Sequence, residues 1–82
     1  MQAFIKFVCR DFVGGFDSGT FDVVPGDTVA TFMRRVIEEN GIKPIENLED
    51  YIIVIKNASS AELSDPVEDD DKVYILRRIL GG

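Results

Sequence analysis

Few residues in this chain have reactive potential. The sequence closes on Gly81-Gly82, so the group offered there is a main-chain carboxylate carried on backbone without a Cβ. An extended tail of this kind can enter another protein's active site. Glu68-Asp69-Asp70-Asp71 sets carboxylates side by side. A calcium loop spaces its ligands at alternate positions and closes on a distal glutamate, and this run does neither. It reads as a solvated turn, with no metal expected. Cys9 continues the alternation of Ala3, Ile5 and Phe7, so packing rather than nucleophilic chemistry is its expected role. The chain has no histidine, which removes Ser-His-Asp and Cys-His catalysis and the usual pH-switch chemistry. Gly14-Gly15 fits a hairpin turn and is followed by no basic residue to hold phosphate. No catalytic residue is expected, and the protein is not read as an enzyme.

Composition narrows the partners. Eighty-two residues with 45% apolar and 29% charged side chains suit one soluble globular domain. The longest apolar runs, such as Tyr51 to Ile55, fall far short of a membrane span, and the opening alternates instead of showing a basic segment before a hydrophobic block. One cysteine excludes an internal disulfide, in keeping with a reducing compartment; a cytoplasmic monomer is the expectation. A net charge of −6 argues against a phosphate-backbone partner.

The elements that must position the final carboxylate follow from periodicity. Gln2 to Arg10 alternates, with Ala3, Ile5, Phe7 and Cys9 assigned to the core. A turn around Gly14-Gly15 leads to a second strand, Gly19 to Val24, with Phe21 and Val23 on one side. Pro25-Gly26 stops it, and Asp27 or Thr28 is placed to cap a helix from Val29 to about Asn40. Val29, Phe32, Met33, Val36 and Ile37 form its apolar stripe, while Arg34 with Glu38 and Arg35 with Glu39 read as solvated i,i+4 pairs. Gly41 is placed to close the helix in the left-handed conformation, and Pro44 prevents its continuation. Ile42, Ile45 and Leu48 are expected to pin the connection that follows.

Tyr51 to Lys56 is a third strand, so continuously apolar that its inner face is left open. Asn57 to Asp71 is polar, anchored at Leu63 and Val67, with room for a short edge strand and with Pro66 arguing against a central one. Lys72 to Leu76 is the last strand, and Arg77 to Gly82 is the tail, reaching at most about 20 Å when extended. The domain is thus 1–76 and the tail 77–82. The sum is an α+β roll, one helix on one face of a four- to five-stranded mixed sheet. If the helix covers Ala3, Ile5, Phe7, Val73 and Ile75, then Phe4, Val8, Tyr74 and Leu76 point away from it and form a candidate partner-binding surface.

Met1-Gln2 with Phe4 and Lys6, Val24-Pro25 before Asp27-Thr28, Gly41-Ile42 with Pro44, and Leu76-Arg77-Arg78 through Gly81-Gly82 together resemble the β-grasp family of ubiquitin-like proteins. Val67, Asp69, Asp71 and Val73 are similar to the segment that precedes the last strand in the small sulfur carriers of the MoaD and ThiS type. Asp70 stands where that segment has glycine, and Arg77-Arg78 replace the proline-containing tail common in the molybdopterin carriers. The resemblance implies a sulfur carrier that binds no cofactor itself. A ubiquitin-activating-type (MoeB/ThiF-like) enzyme would use ATP to adenylate Gly82, recognising the tail at Arg77, Arg78, Ile79 and Leu80. Gly81 would serve the approach, and a sulfur donor would complete a thiocarboxylate for a molybdopterin, thiamine or tRNA thiolation pathway. Two alternatives stand beside it, a protein modifier joined to target lysines through Gly-Gly and a β-grasp interaction module whose glycines do nothing.

Overall fold

The computed structural model describes residues 1–8, 17–42 and 47–78. The elements run β1 (Gln2–Phe7), β2 (Ser18–Asp22), α1 (Val29–Glu39), a 3-10 turn (Leu48–Tyr51), β3 (Ile52–Lys56), β4 (Ser59–Ala61) and β5 (Lys72–Arg77). The strands form one mixed sheet in the order β2-β1-β5-β3-β4, in which the last strand in sequence is the middle one in space. It runs parallel to β1 and antiparallel to β3. The expected α+β roll is the observed architecture.

Alternation decides which face is buried. Ala3, Ile5 and Phe7 of β1 and Val73 and Ile75 of β5 are almost fully enclosed, and the apolar stripe Val29, Phe32, Met33, Val36 and Ile37 of α1 closes over them. Ile52 and Val54 complete the layer, which settles the phase that the apolar run of β3 had left open. Val67 is a buried anchor, while Leu63 and Ile42 pack partly buried against the same core. Tyr51 belongs to the 3-10 turn rather than to β3, because Asn47 in the left-handed conformation starts that turn and β3 begins only where the backbone extends at Ile52. Cys9, Gly14-Gly15, Pro44 and Ile45 lie outside the described residues.

The ends of α1 are specified by short-range chemistry. Thr28 is the N-cap: its Oγ accepts from Thr31 N at 3.3 Å, and Thr31 Oγ accepts from Thr28 N at 2.9 Å. The next two amides are satisfied by the loop after β4, Val29 N–H donating to Asp65 O at 2.9 Å and Ala30 N–H to Leu63 O at 3.0 Å. At the other end Gly41 takes φ +67°, Gly41 N–H donates to Glu38 O, and Ile42 N–H donates to Ile37 O, so the helix closes in a Schellman motif.

One open choice is settled and one expectation is corrected. Asp27 does not cap the helix; its carboxylate is buried beneath it, accepting from Val24 N at 3.0 Å, from Thr31 Oγ at 2.8 Å and from the Arg35 guanidinium. The i,i+4 pairs of α1 do not form among the described residues either: Arg35 turns back to Asp27, and Arg34 reaches Glu49 beside the 3-10 turn. Both arginines thereby tie the helix to a neighbouring loop, which a pair along one helix face would not do.

Candidate functional site

The sheet has one covered face and one open face. On the open face the register sets Phe4 beside Lys72, Lys6 beside Tyr74, Ile55 beside Tyr74 and Ile53 beside Leu76. Phe4 and Tyr74 meet across the β1–β5 junction with ring centroids 6.0 Å apart and planes tilted by 59°. Val8 is 49% exposed and Ile53 is 41% exposed, while Phe4, Tyr74, Leu76 and Ile55 are half-buried. The predicted residues Phe4, Tyr74 and Leu76 therefore share the outward phase of the sheet, Ile53 and Ile55 extend it, and Val8, one residue past the end of β1, is exposed. Sequence reasoning missed those two isoleucines because four consecutive apolar residues carry no period. Only the pairing of β3 with β5 assigns their phase.

The chain leaves this surface through its central strand. β5 continues to Arg77, one residue past the expected limit, and Arg78 N–H still donates to Tyr51 O at 2.7 Å. Both arginines are exposed. Arg78 lines a cleft of about 370 Å³ with Glu49, Ile53, Ser60 and Leu63, where β4 stops short of the start of β3. Ile79, Leu80, Gly81 and Gly82 lie outside the described residues.

The acidic run before β5 is a built turn. Asp69 Oδ1 accepts from Gln2 N at 2.8 Å, Asp70 N–H donates to Gln2 O at 2.7 Å, and Asp71 Oδ2 accepts from Glu68 N at 2.8 Å. Asp70 has φ +67°, a left-handed conformation that a glycine would adopt without steric cost. Burial pushes the Asp71 carboxyl up, but hydrogen bonds from Asn57 Nδ2 and Glu68 N and the charge of Lys56 outweigh it and hold the carboxyl below its ordinary value. No group of His, Cys, Asp or Glu among the described residues is arranged to hold a metal ion. Through Asp69 and Asp70 the run docks the start of β5 against β1.

No protein-family model and no curated protein sequence matches the chain. Solved structures do. SAMP1 of Haloferax volcanii, a small archaeal modifier protein, superimposes with a TM-score of 0.71 at 19% identity, with both chains covered in full. Urm1 from Trypanosoma brucei gives 0.64 at 18% identity over 99% of this chain and 95% of its own. A structure of the complex of subunits 1 and 2 of the molybdopterin-converting factor from Helicobacter pylori gives 0.63 at 17% identity over the whole of both chains. No described helix is long and apolar enough to cross a membrane. One helix on a five-stranded mixed sheet, matched from end to end by these structures, identifies the fold of this chain as the β-grasp of the ubiquitin-like proteins.

Proposed function

We propose that this chain is a small sulfur carrier whose reactive group is the carboxylate of Gly82. In this reading an adenylating enzyme of the ubiquitin-activating type binds the open sheet face and takes the tail into its active site. A carboxylate oxygen of Gly82 attacks the α-phosphorus of ATP and pyrophosphate leaves. Hydrosulfide from a sulfur donor then attacks the carbonyl carbon, AMP departs, and a thiocarboxylate remains for delivery to a sulfur-accepting synthase. ATP belongs to the partner's chemistry, and the carrier contributes presentation. The observation that supports the reading most directly is the position of β5: the last strand is central, held on both sides, and the described chain ends at the exposed Arg78 beside the open apolar face. The molybdopterin-converting factor among the structural neighbours adds support, and its structure is of a complex between two subunits.

A second reading is favoured by the name of another neighbour, a small archaeal modifier protein: the activated carboxyl passes to a lysine amine and the chain becomes a protein modifier. The test is the same preparation. Purified chain is incubated with ATP, the adenylating enzyme from its own organism and a sulfide donor, and its intact mass is measured. The expected result is one oxygen-for-sulfur exchange, abolished when Gly82 is removed. Conjugates through lysines of other proteins, without that exchange, would replace the carrier reading by the modifier. Unchanged partner binding and cellular function after removal of Gly82 would leave only an interaction module.

A further inference from the structure

The charges of this protein are not mixed at random. The chain holds 15 acidic and 9 basic residues, so a cation on its surface should meet a carboxylate easily. Arg34 does so at Glu49, Arg35 at Asp27 and Lys56 at Asp71. The remaining described side-chain cations, Lys6, Lys72, Arg77 and Arg78, make no ion pair among the described residues, and all four lie on β1 and β5 or one step beyond. Lys6 and Lys72 share the outward phase with Phe4 and Tyr74, and Arg78 stands near Ile53 in a cleft that Glu49 and Glu62 also line. The outward phase of β1, β5 and β3 reads Gln2, Phe4, Lys6, then Lys72, Tyr74, Leu76, then Ile53 and Ile55. These three strands carry no carboxylate in that phase; on β2 the same phase ends in Asp22, which accepts from Gln2 Nε2 at the far edge.

This segregation leaves an apolar surface beside cations that make no ion pair with the described residues, on a molecule of net charge −6. Beyond about 10 Å in ordinary salt the acids elsewhere on the molecule are screened, so a docking partner responds to the local cations rather than to the net charge. We propose that the open sheet face docks a protein surface that is apolar at its centre and carries carboxylates opposite Lys6, Lys72 and Arg78. The inference rests on the sheet face being the docking surface for the adenylating enzyme, and it adds the chemistry of the partner. A second copy of the chain fits the face poorly, since it would bring like charges together. A nucleic acid fits poorly as well: the apolar area is mostly aliphatic, its two rings tilt against each other, and the molecule as a whole is anionic.

The test compares wild type, Phe4→Asp, the double variant Lys6→Glu/Lys72→Glu and the control Arg34→Glu, a charge reversal on the helix side. Affinity for the adenylating enzyme is measured from roughly 0.05 to about 0.5 M salt. The expected result is a loss of about tenfold or more for the double variant, a salt dependence weakened in that variant, and little change for Arg34→Glu. Lys6→Gln/Lys72→Gln should show a smaller loss, and this milder pair carries the test if the charge reversal disturbs folding. If Phe4→Asp abolishes binding while charge and salt have no effect, the face docks the enzyme but the carboxylate complement is wrong. If none of these variants alters binding while removal of Gly82 does, the sheet face is not the docking surface at all. Tight self-association of the free chain through this face, or saturable oligonucleotide binding lost in the double variant, would also overturn the assignment.

Discussion

Asp27 shows how one buried carboxylate holds two elements together. The Arg35 guanidinium, against the opposing effect of burial, together with Val24 N and Thr31 Oγ, lowers its pKa from 3.8 to about 2. The same arginine donates to Asp22 O at 3.0 Å, so the end of β2, the Pro25-Gly26 turn and the second turn of α1 meet at one charge. A group whose folded pKa is depressed stabilises the fold above its unfolded value and loses that contribution as pH falls through the folded value. Asp27 thus contributes roughly 2 kcal/mol above about pH 4, lost progressively towards about pH 2. Asp27→Asn keeps an acceptor for Val24 and Thr31 but turns an amide towards Arg35. It is expected to cost about 2 kcal/mol at neutral pH, with the difference from wild type vanishing near pH 2; urea unfolding across that range checks it. A cost that did not depend on pH would mean that packing, not charge, accounts for the position. With no histidine in the chain, no side chain of that type adds a further step between pH 5 and 8.

Among the elements, α1 was the most legible in the sequence and the β3–β4 hairpin the least. The stripe Val29, Phe32, Met33, Val36 and Ile37 keeps a period of three and four, and all five residues are buried. Gly41 gave its end, since a left-handed closure there needs no Cβ. The alternation of β1 assigned Ala3, Ile5 and Phe7 inward and Phe4 outward, so three of the residues on the open face were readable before any pairing was known. Ile53 and Ile55 were not, because their phase is a property of the β3–β5 register. The partners of Arg34 and Arg35 were not readable for a related reason: Glu49 and Asp27 reach them through tertiary contact, and i,i+4 spacing reports only neighbours along the helix. The hairpin itself turns through Asn57 at φ +51° and Ala58 at φ +68°, where a two-residue turn favours Asn-Gly. An alanine in the left-handed region strains the backbone, so Ala58→Gly is expected to stabilise the protein by about 1 kcal/mol despite the greater freedom of glycine in the unfolded chain. A shift in the unfolding midpoint with unchanged denaturant slope would show it. Destabilisation would mean that glycine's unfolded-state entropy outweighs the relief.

The whole molecule divides its work across a single sheet. Substitutions on the two faces should separate stability from recognition, because neighbouring residues of β5 project into different surroundings. Ile75 is 2% exposed beneath α1, while Leu76 lies half-buried on the open face beside Ile53. Ile75→Ala removes methylenes that α1 and β3 enclose and leaves a cavity, so a loss of about 2 to 4 kcal/mol is expected. Leu76→Thr introduces a β-branched residue suited to a strand and gives up contact only on the open side, so the expected loss stays below about 1 kcal/mol. Binding of the adenylating enzyme should follow the reverse order, strongly weakened by Leu76→Thr and, at temperatures where the variant stays folded, little altered by Ile75→Ala. Chemical denaturation and affinity measured on both variants decide it. If both lose stability alike, the open face is part of the core in solution, and its apolar residues have a packing role in place of a docking one. If Leu76→Thr is stable and binds normally, the face is folded as described but the partner engages the chain elsewhere, which returns the question to the tail that β5 delivers at Arg78.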